Sequence, residues 1–260
     1  MLKRFQGKST GQPDCLRLRT KLLLLRAAME RRGLMSAEQE LAVRLGQMAL
    51  FAKLPAEILF RMAQSGIYHC YGAREMVFCE GDEIGSLLVV LEGDVAVFKR
   101  SSDGREQVLT HLKAGDIISI AQLLLSEDAC HSDSGRASQP TQVLSINPAL
   151  FKEMLESSHK FNQALQRYLA EKLEQLSALA SSLSLQSARS RLAAFLIQRA
   201  DQTGAHAGIT QEEIAAEIGT VREIVARLLR EFANAGWLER QRQRLVLKNR
   251  AALEQEARRW

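Results

Sequence analysis

The sequence predicts an α+β protein: a jelly-roll-like β-barrel, then one long dimerisation helix, then a compact C-terminal unit of short helices with a β-hairpin. Three observations predict it. Glycine-centred turns recur at near-constant spacing through residues 80–116. Leucines step by three and four along residues 161–185. Two Thr-x-x-Glu sequences, Thr210 to Glu213 and Thr220 to Glu223, stand either side of Gly219.

The barrel rests on its turns. Glu80-Gly81-Asp82, Glu92-Gly93-Asp94, Asp103-Gly104-Arg105 and Ala114-Gly115-Asp116 place their glycines 12, 11 and 11 residues apart. Glycine reaches positive φ without steric cost, and the short runs between, such as Leu87–Leu91, Val95–Phe98 and Gln107–Leu112, suit strands. Strand-length segments at that period form an all-β sandwich or barrel. Val143–Ile146 is the last strand, and a helical stretch begins at Pro148. The polar stretch Ser126–Pro140 reads as a surface loop.

Leu165, Leu169, Leu173, Leu176, Leu179 and Leu183 form an a/d-type seam over about three heptads. A helix of that length cannot bury its seam alone. It packs either on the barrel or on a second copy, and the seam exceeds what a small barrel covers, which favours a homodimer. The serine-rich segment Ser181–Ser190 reads as a hinge leading into a helix over Ala188–Ala200.

At the C-terminus, Thr210 and Glu213 form a capping box that starts a helix burying Ile214, Ala215 and Ile218. Gly219 provides a tight turn, and Thr220 with Glu223 is expected to cap the next helix. That helix is expected to bury Val221, Ile224, Val225, Leu228, Leu229 and Phe232 and to turn Arg222, Glu223, Arg227 and Arg230 outward. Two strands around Arg240-Gln241-Arg242-Gln243-Arg244 make a basic wing. This is the pattern of a winged helix-turn-helix. Arg offers paired donors to guanine and Glu accepts from cytosine, so the expected DNA-binding residues are Thr210, Thr220, Arg222, Glu223, Arg227, Arg230 and Arg242. A solvated helix face, with Glu223 paired to Arg227, is the alternative reading of those charges.

Composition supports the same class. The net charge of +5 conceals a basic first fifty residues, an acidic 51–150, and 8 basic against 3 acidic side chains in 219–250. A local basic block suits a polyanion. With 46% hydrophobic and 25% charged residues the chain is globular, and no apolar run approaches a membrane span. Cys15, Cys70, Cys79 and Cys130 form no disulfide framework, which predicts a cytoplasmic chain with reduced, mostly buried and inert thiols; a Cys70–Cys79 redox pair is the alternative. Enzyme chemistry finds no residues to carry it. His69, His111, His131, His159 and His206 stand apart, so a cupin-type metal set is missing, and there is no nucleophile elbow or phosphate loop. No metal site is expected.

The order of turn-punctuated barrel, seam helix and winged helix-turn-helix resembles the cyclic AMP receptor/FNR (CRP/FNR) family of bacterial transcription regulators, over residues from about 48 to 253. The Glu80-Gly81-Asp82 and Gly115-Asp116 turns carry the resemblance in the barrel, and Gln211–Ala215 through Gly219–Arg227 carry it in the helix pair. It implies a cyclic-nucleotide-binding-like sensor over 48–150, a dimerisation helix over 151–186 and a winged helix-turn-helix over 187–253; outside it, residues 1–47 read as a basic helical extension, with Asp14 capping a helix through about Arg32 and a second short helix starting at Ser36, and 254–260 as a tail. It also implies double-stranded DNA with TGTGA-like half-sites, a second copy of the chain and RNA polymerase as partners, with Arg222, Glu223 and Arg227 reading bases.

In the family's cyclic-AMP cassette a glutamate holds the ribose and an Arg-Ser pair holds the phosphate. Here Ile120 takes the glutamate's place, and His131-Ser132 fall near the Arg-Ser place. Leu176 and Ser177 stand where the seam helix meets the purine. The expected effector pocket is Ile118, Ser119, Ile120, Cys130, His131, Ser132, Leu176 and Ser177, and the expected effector is not cyclic AMP. Iron–sulfur members cluster three cysteines near the N-terminus, where this chain has only Cys15, so a cluster is not expected. His69, Cys70, His111, Cys130 and His131 lie in or beside the barrel as candidate haem ligands, with Cys130-His131 where the family's ligand pocket lies, which leaves a haem- or redox-dependent gas sensor, or a regulator without any small-molecule effector, as alternatives. A cyclic-nucleotide-gated signalling subunit would keep the phosphate arginine and lack the winged helix.

Overall fold

The computed structural model of the chain describes residues 36–126, 128–203, 209–241 and 244–259. The basic helix expected over residues 14–32, Cys15, His206 and Arg242 lie outside the described residues. The rest forms two compact units. One runs to Val95 and adds Leu112–Ser132 and Arg136–Tyr168; the other is Ala96–His111, Asp133–Gly135 and the chain from Leu169 onward.

The first unit opens with α1 (Ala37–Gln47) and α2 (Ala56–Ser65). Ser36 starts α1 as the sequence predicts: its Oγ accepts from the Gln39 amide at 3.2 Å, and Gln39 returns the bond to the Ser36 amide at 2.8 Å. The strands follow in the chain, with most of β4 and β5 and the start of β7 belonging to the second unit: β1 (Ile67–Tyr71), β2 (Met76–Phe78), β3 (Leu87–Glu92), β4 (Asp94–Arg100), β5 (Glu106–Lys113), β6 (Ile117–Ile118), then α3 (Ile120–Leu125), β7 (Ser134–Ala137) and β8 (Thr141–Ile146). They form two four-stranded sheets, ordered β1-β8-β3-β6 and β2-β7-β4-β5. The arrangement is a jelly-roll-like sandwich of two open sheets rather than a closed barrel. In the first sheet β8 is antiparallel to both neighbours, with Ile67 opposite Ser145 and Leu87 opposite Ile146. Leu87, Val89, Val90, Val143, Leu144 and Ile146 are fully buried there.

The stretch expected as a surface loop, Ser126–Pro140, instead contains β7. Ser-Gly-Arg-Ala has little strand propensity of its own, so its pairing between β2 and β4 makes it a strand.

The four turn glycines all have positive φ, from 84° to 96°. At Gly93 a side chain would also collide with Thr141 Oγ1 and come within 2.7 Å of the Pro140 carbonyl oxygen, whereas at Gly104 nothing lies within 4 Å. Alanine at either site meets the positive-φ strain of roughly 1–2 kcal/mol. Gly93→Ala adds an overpacking cost of about 1–3 kcal/mol. Denaturant titration of both variants is expected to show Gly93→Ala clearly the less stable; equal losses would contradict the close approach.

The helical stretch after β8 is two helices. Asn147 caps α4 (Pro148–Ser157) through the Ala149 amide, and Ser158 breaks the helix before α5 (His159–Leu185). Ser158 Oγ accepts from the Phe161 amide at 3.2 Å, which ends one helix and starts the other. Phe161 stacks on Phe51 and meets Phe151 edge-on, anchoring the start of α5 in the first unit. At 27 residues α5 is about 40 Å long at 1.5 Å per residue.

The second unit contains α6 (Ala188–Thr203), α7 (Gln211–Ile218), α8 (Arg222–Asn234), the hairpin β9 (Leu238–Gln241) and β10 (Arg244–Leu247), and α9 (Arg250–Ala257). Its core gathers Leu192, Leu196, Ile214, Ile218, Val225, Leu229, Phe232 and Leu253, with Trp237 and Leu245 against it. The expected hinge reduces to Gln186 and Ser187 between α5 and α6. Ala216, on the other side of α7, packs with Ala96, Phe98 and Val108 of the β4–β5 hairpin.

Candidate nucleic-acid interface and sensor site

The helix pair is built from its caps. Thr210 Oγ1 accepts from the Glu213 amide at 3.2 Å, and Glu213 accepts from the Thr210 amide at 2.7 Å. Thr210 is exposed. Gly219 ends α7 at φ 65°, a left-handed position where a side chain would strike Gln107 and Leu183.

Thr220 does not cap α8. Its amide closes the end of α7 by donating to the Ala215 carbonyl at 3.0 Å, so Val221 becomes the N-cap, with no side-chain cap bond. A glycine-terminated helix draws the residue after the glycine into its own carbonyls, which moves the start of the next helix on by one. Arg222 and Glu223 therefore occupy the first turn of α8.

The faces of α8 separate sharply. Val225, Leu228, Leu229 and Phe232 are buried, while Arg222, Glu223, Arg227 and Arg230 are exposed. Arg222 Nε lies 3.1 Å from Glu212 Oε1 of α7. Arg227 reaches Glu231 at 3.7 Å, not the expected Glu223. Arg230 Nε donates to the Ala226 carbonyl at 3.2 Å. In the wing, Leu238 faces Leu247 and Arg244 faces Gln241. Lys248 sits 2.5 Å from Glu239, and bonds from Lys248 and Gln241 hold the Glu239 carboxyl below its ordinary pKa.

Two arginines that motif reading passed over hold this unit together. Arg191 Nε donates to the Ile218 carbonyl at 2.7 Å and Nη2 to that of Gly219 at 3.2 Å, while Nη1 donates to that of Gln186 at 2.5 Å. The ends of helices leave carbonyls unsatisfied and carry partial negative charge. One cation thus ties the end of α5 to the turn before α8, and burial lowers its pKa. Arg189 lies over Phe232 at 4.8 Å and Trp237 at 5.4 Å and pairs with Glu231 at 2.5 Å. Their signal in the sequence is two cations, Arg189 and Arg191, set just before the apolar run Leu192–Leu196. His111 Nε2 stands 3.0 Å from Glu217 Oε1, a second contact between the β4–β5 hairpin and α7.

In the sensor unit, Ile118 and Ile120 are buried. Ser119 adopts a left-handed conformation at φ 54°, and its Oγ lies 2.6 Å from His131 Nδ1. His131 is 6% exposed and stacks on Phe78 with centroids 4.5 Å apart. Ser132 bonds Gln122. Cys130 is exposed and its backbone pairs with that of Glu83, so the adjacent Cys130 and His131 have opposite surroundings, and His131 is not the surface-loop residue expected. Sequence reading missed Phe78 as the third member of this cluster. Leu176 and Ser177 lie on α5 in the second unit, both exposed.

The expectation of buried thiols is corrected as well: Cys79, next to the Glu80-Gly81-Asp82 turn, is exposed, and Cys70 is half-buried. Among the described residues no cluster of three or more His, Cys, Asp or Glu could hold a metal ion, and no helix is long and apolar enough to cross a membrane.

Comparison with known proteins decides the family. Residues 68–158 match the cyclic nucleotide-binding domain, and residues 190–256 match the Crp-like helix-turn-helix domain. The chain belongs to the CRP/FNR family. It is 26% identical over 190 residues to the CRP-like cAMP-activated global transcriptional regulator of Mycobacterium tuberculosis, covering 70% of this chain and 84% of that protein. It is 25% identical over 181 residues to the cAMP-activated global transcriptional regulator Vfr of Pseudomonas aeruginosa, covering 65% and 85%. A CRP-family transcriptional regulator from Thermus thermophilus is similar in structure, with a TM-score of 0.62, 25% identity and coverage of 73% and 96%. A crp/fnr regulator from Eubacterium rectale shares the fold, with a TM-score of 0.71 at 21% identity and coverage of 80% and 97%. As a CRP/FNR member, the chain is a DNA-binding regulator of transcription.

Proposed function

We propose that this CRP/FNR protein is a homodimer that reads an inverted repeat with TGTGA-like half-sites and answers to an effector other than cyclic AMP. The observation that carries the reading is the exposed set Arg222, Glu223 and Arg227 at the start of α8, on a helix whose opposite face is wholly buried. The N-terminal part of a recognition helix enters the major groove, where arginine satisfies two guanine acceptors and glutamate accepts from cytosine. Arg230 extends the same face, and the wing's basic residues, Arg242 among them, contact phosphates. Thr210, at the start of α7, and Thr220, in the turn before α8, contact the DNA backbone. RNA polymerase is the partner through which the bound dimer activates transcription.

The dimer is supported by the course of α5. Leu165 is buried and Leu169 half-buried, while Leu173 and Leu176 are 68% and 44% exposed. Leu179 and Leu183 continue the stripe, half-buried. A second copy of α5 covers this seam.

Transmission from sensor to reader is supported by contacts in the first half and at the far end of α5. The Ile117 amide, next to the sensor residues Ile118 and Ser119, donates to Tyr168 Oη at 3.3 Å. At the far end Arg191 ties α5 to the turn before α8. An effector that alters the strand at Ile117 acts on α5, and through Arg191 on the angle of the recognition helix.

An effector other than cyclic AMP is supported by chemistry. A cyclic phosphate needs a cation or an array of amides. Here the glutamate's place holds buried Ile120, and the arginine's place holds His131, committed to Ser119 and Phe78. Calorimetry is expected to show no micromolar cyclic AMP binding and no change in operator affinity. Micromolar binding with tightened operator affinity would overturn this part of the reading.

A further inference from the structure

Glu212 is the second residue of α7, and its carboxylate meets Nε of Arg222, the first residue of α8, at 3.1 Å. The capping box that starts α7 uses Thr210 and Glu213, so Glu212 has no part in it. Both side chains are largely exposed, at 60% and 61%, so the pair sits at the surface where the two helix starts meet. An exposed pair of this kind contributes little to stability. Its effect on DNA recognition is larger, for two reasons.

A guanidinium has five N–H donors in a fixed plane. Engaging Nε from the side fixes that plane and leaves the outer Nη edge for the paired O6 and N7 acceptors of a guanine. A free arginine would instead swing to the nearest phosphate. A carboxylate beside the groove also repels the phosphate backbone, which carries most non-specific affinity. Selectivity gained by penalising wrong partners is a general device. We propose that Glu212 is a specificity-determining positioning residue of the DNA reader: it holds Arg222 in its base-reading geometry and weakens binding to every other sequence. The proposal rests on the assignment of Arg222 as a base reader.

The test uses the full chain in anisotropy titrations with three duplexes: the preferred operator, the same operator changed at the base pair whose preference Arg222→Ala abolishes, and a random sequence. Glu212→Gln keeps shape and removes charge. It is expected to tighten random-duplex binding about threefold at low salt and to reduce discrimination at the Arg222 base pair about five- to tenfold. In the Arg222→Ala background it should leave discrimination unchanged. Glu213→Ala, which removes the acceptor of the capping box, should lower the thermal midpoint without altering discrimination. If Arg222→Ala removes the base preference but Glu212→Gln leaves discrimination intact, the proposal is overturned and the base-reading assignment stands. If Arg222→Ala leaves the base preference intact, that assignment fails and the proposal with it.

Discussion

Replacing Leu169 and Leu176 together with glutamate is expected to give a monomer that no longer holds its operator. Each leucine buried in a dimer seam contributes about 1.5–3 kcal/mol. Introducing charge removes that gain and places like charges opposite one another across the two-fold axis. Leu176 is 44% exposed and Leu169 half-buried in a single chain, so the substitutions leave the core of the chain largely intact. Losing the second half-site contact forfeits the gain from linkage, roughly 10²–10⁴-fold in operator affinity. Sedimentation velocity and operator titration check both parts. A variant that sediments as a dimer would remove the seam assignment.

Arg227→Ala is expected to relax base selection at one position of each half-site, at a cost of about 1–3 kcal/mol there, while a wing substitution acts on all sequences alike. Arg227 is exposed on α8 and meets Glu231 at 3.7 Å, a loose pairing that lets its fork turn into the groove. Arg242→Ala should instead lower affinity uniformly and reduce the salt slope by about one. Binding-site selection with each variant separates the two roles. An unchanged consensus for Arg227→Ala would mean that α8 is not the reader.

Much of this was legible because local chemistry dictated it. Gly81, Gly93, Gly104 and Gly115 all take the positive φ their turn sequences require, and Thr210 with Glu213 forms the capping box its spacing requires. The apolar periodicity of α8 named its four buried residues and, by difference, its exposed ones, but it also named Ile224 and Val221, which are half-buried, Val221 because it is the N-cap. What failed to show in the sequence depends on partners distant along the chain. β7 is a strand only because β2 and β4 flank it. His131 is buried because Phe78 and Ser119 meet it. Thr220 lost its capping role to the backbone demands of the Gly219 turn. Arg191 and Glu212 act through atoms on other helices, which spacing along one helix does not reveal.

The most direct test is selection of duplexes from a randomised pool by the wild-type chain, followed by footprinting of the enriched sequence. The two-fold dimer predicts an inverted repeat whose TGTGA-like half-sites lie about 34–36 Å apart, one helical turn, with both halves protected. Recovery of a single unrepeated site, or of no enriched sequence at all, would contradict it.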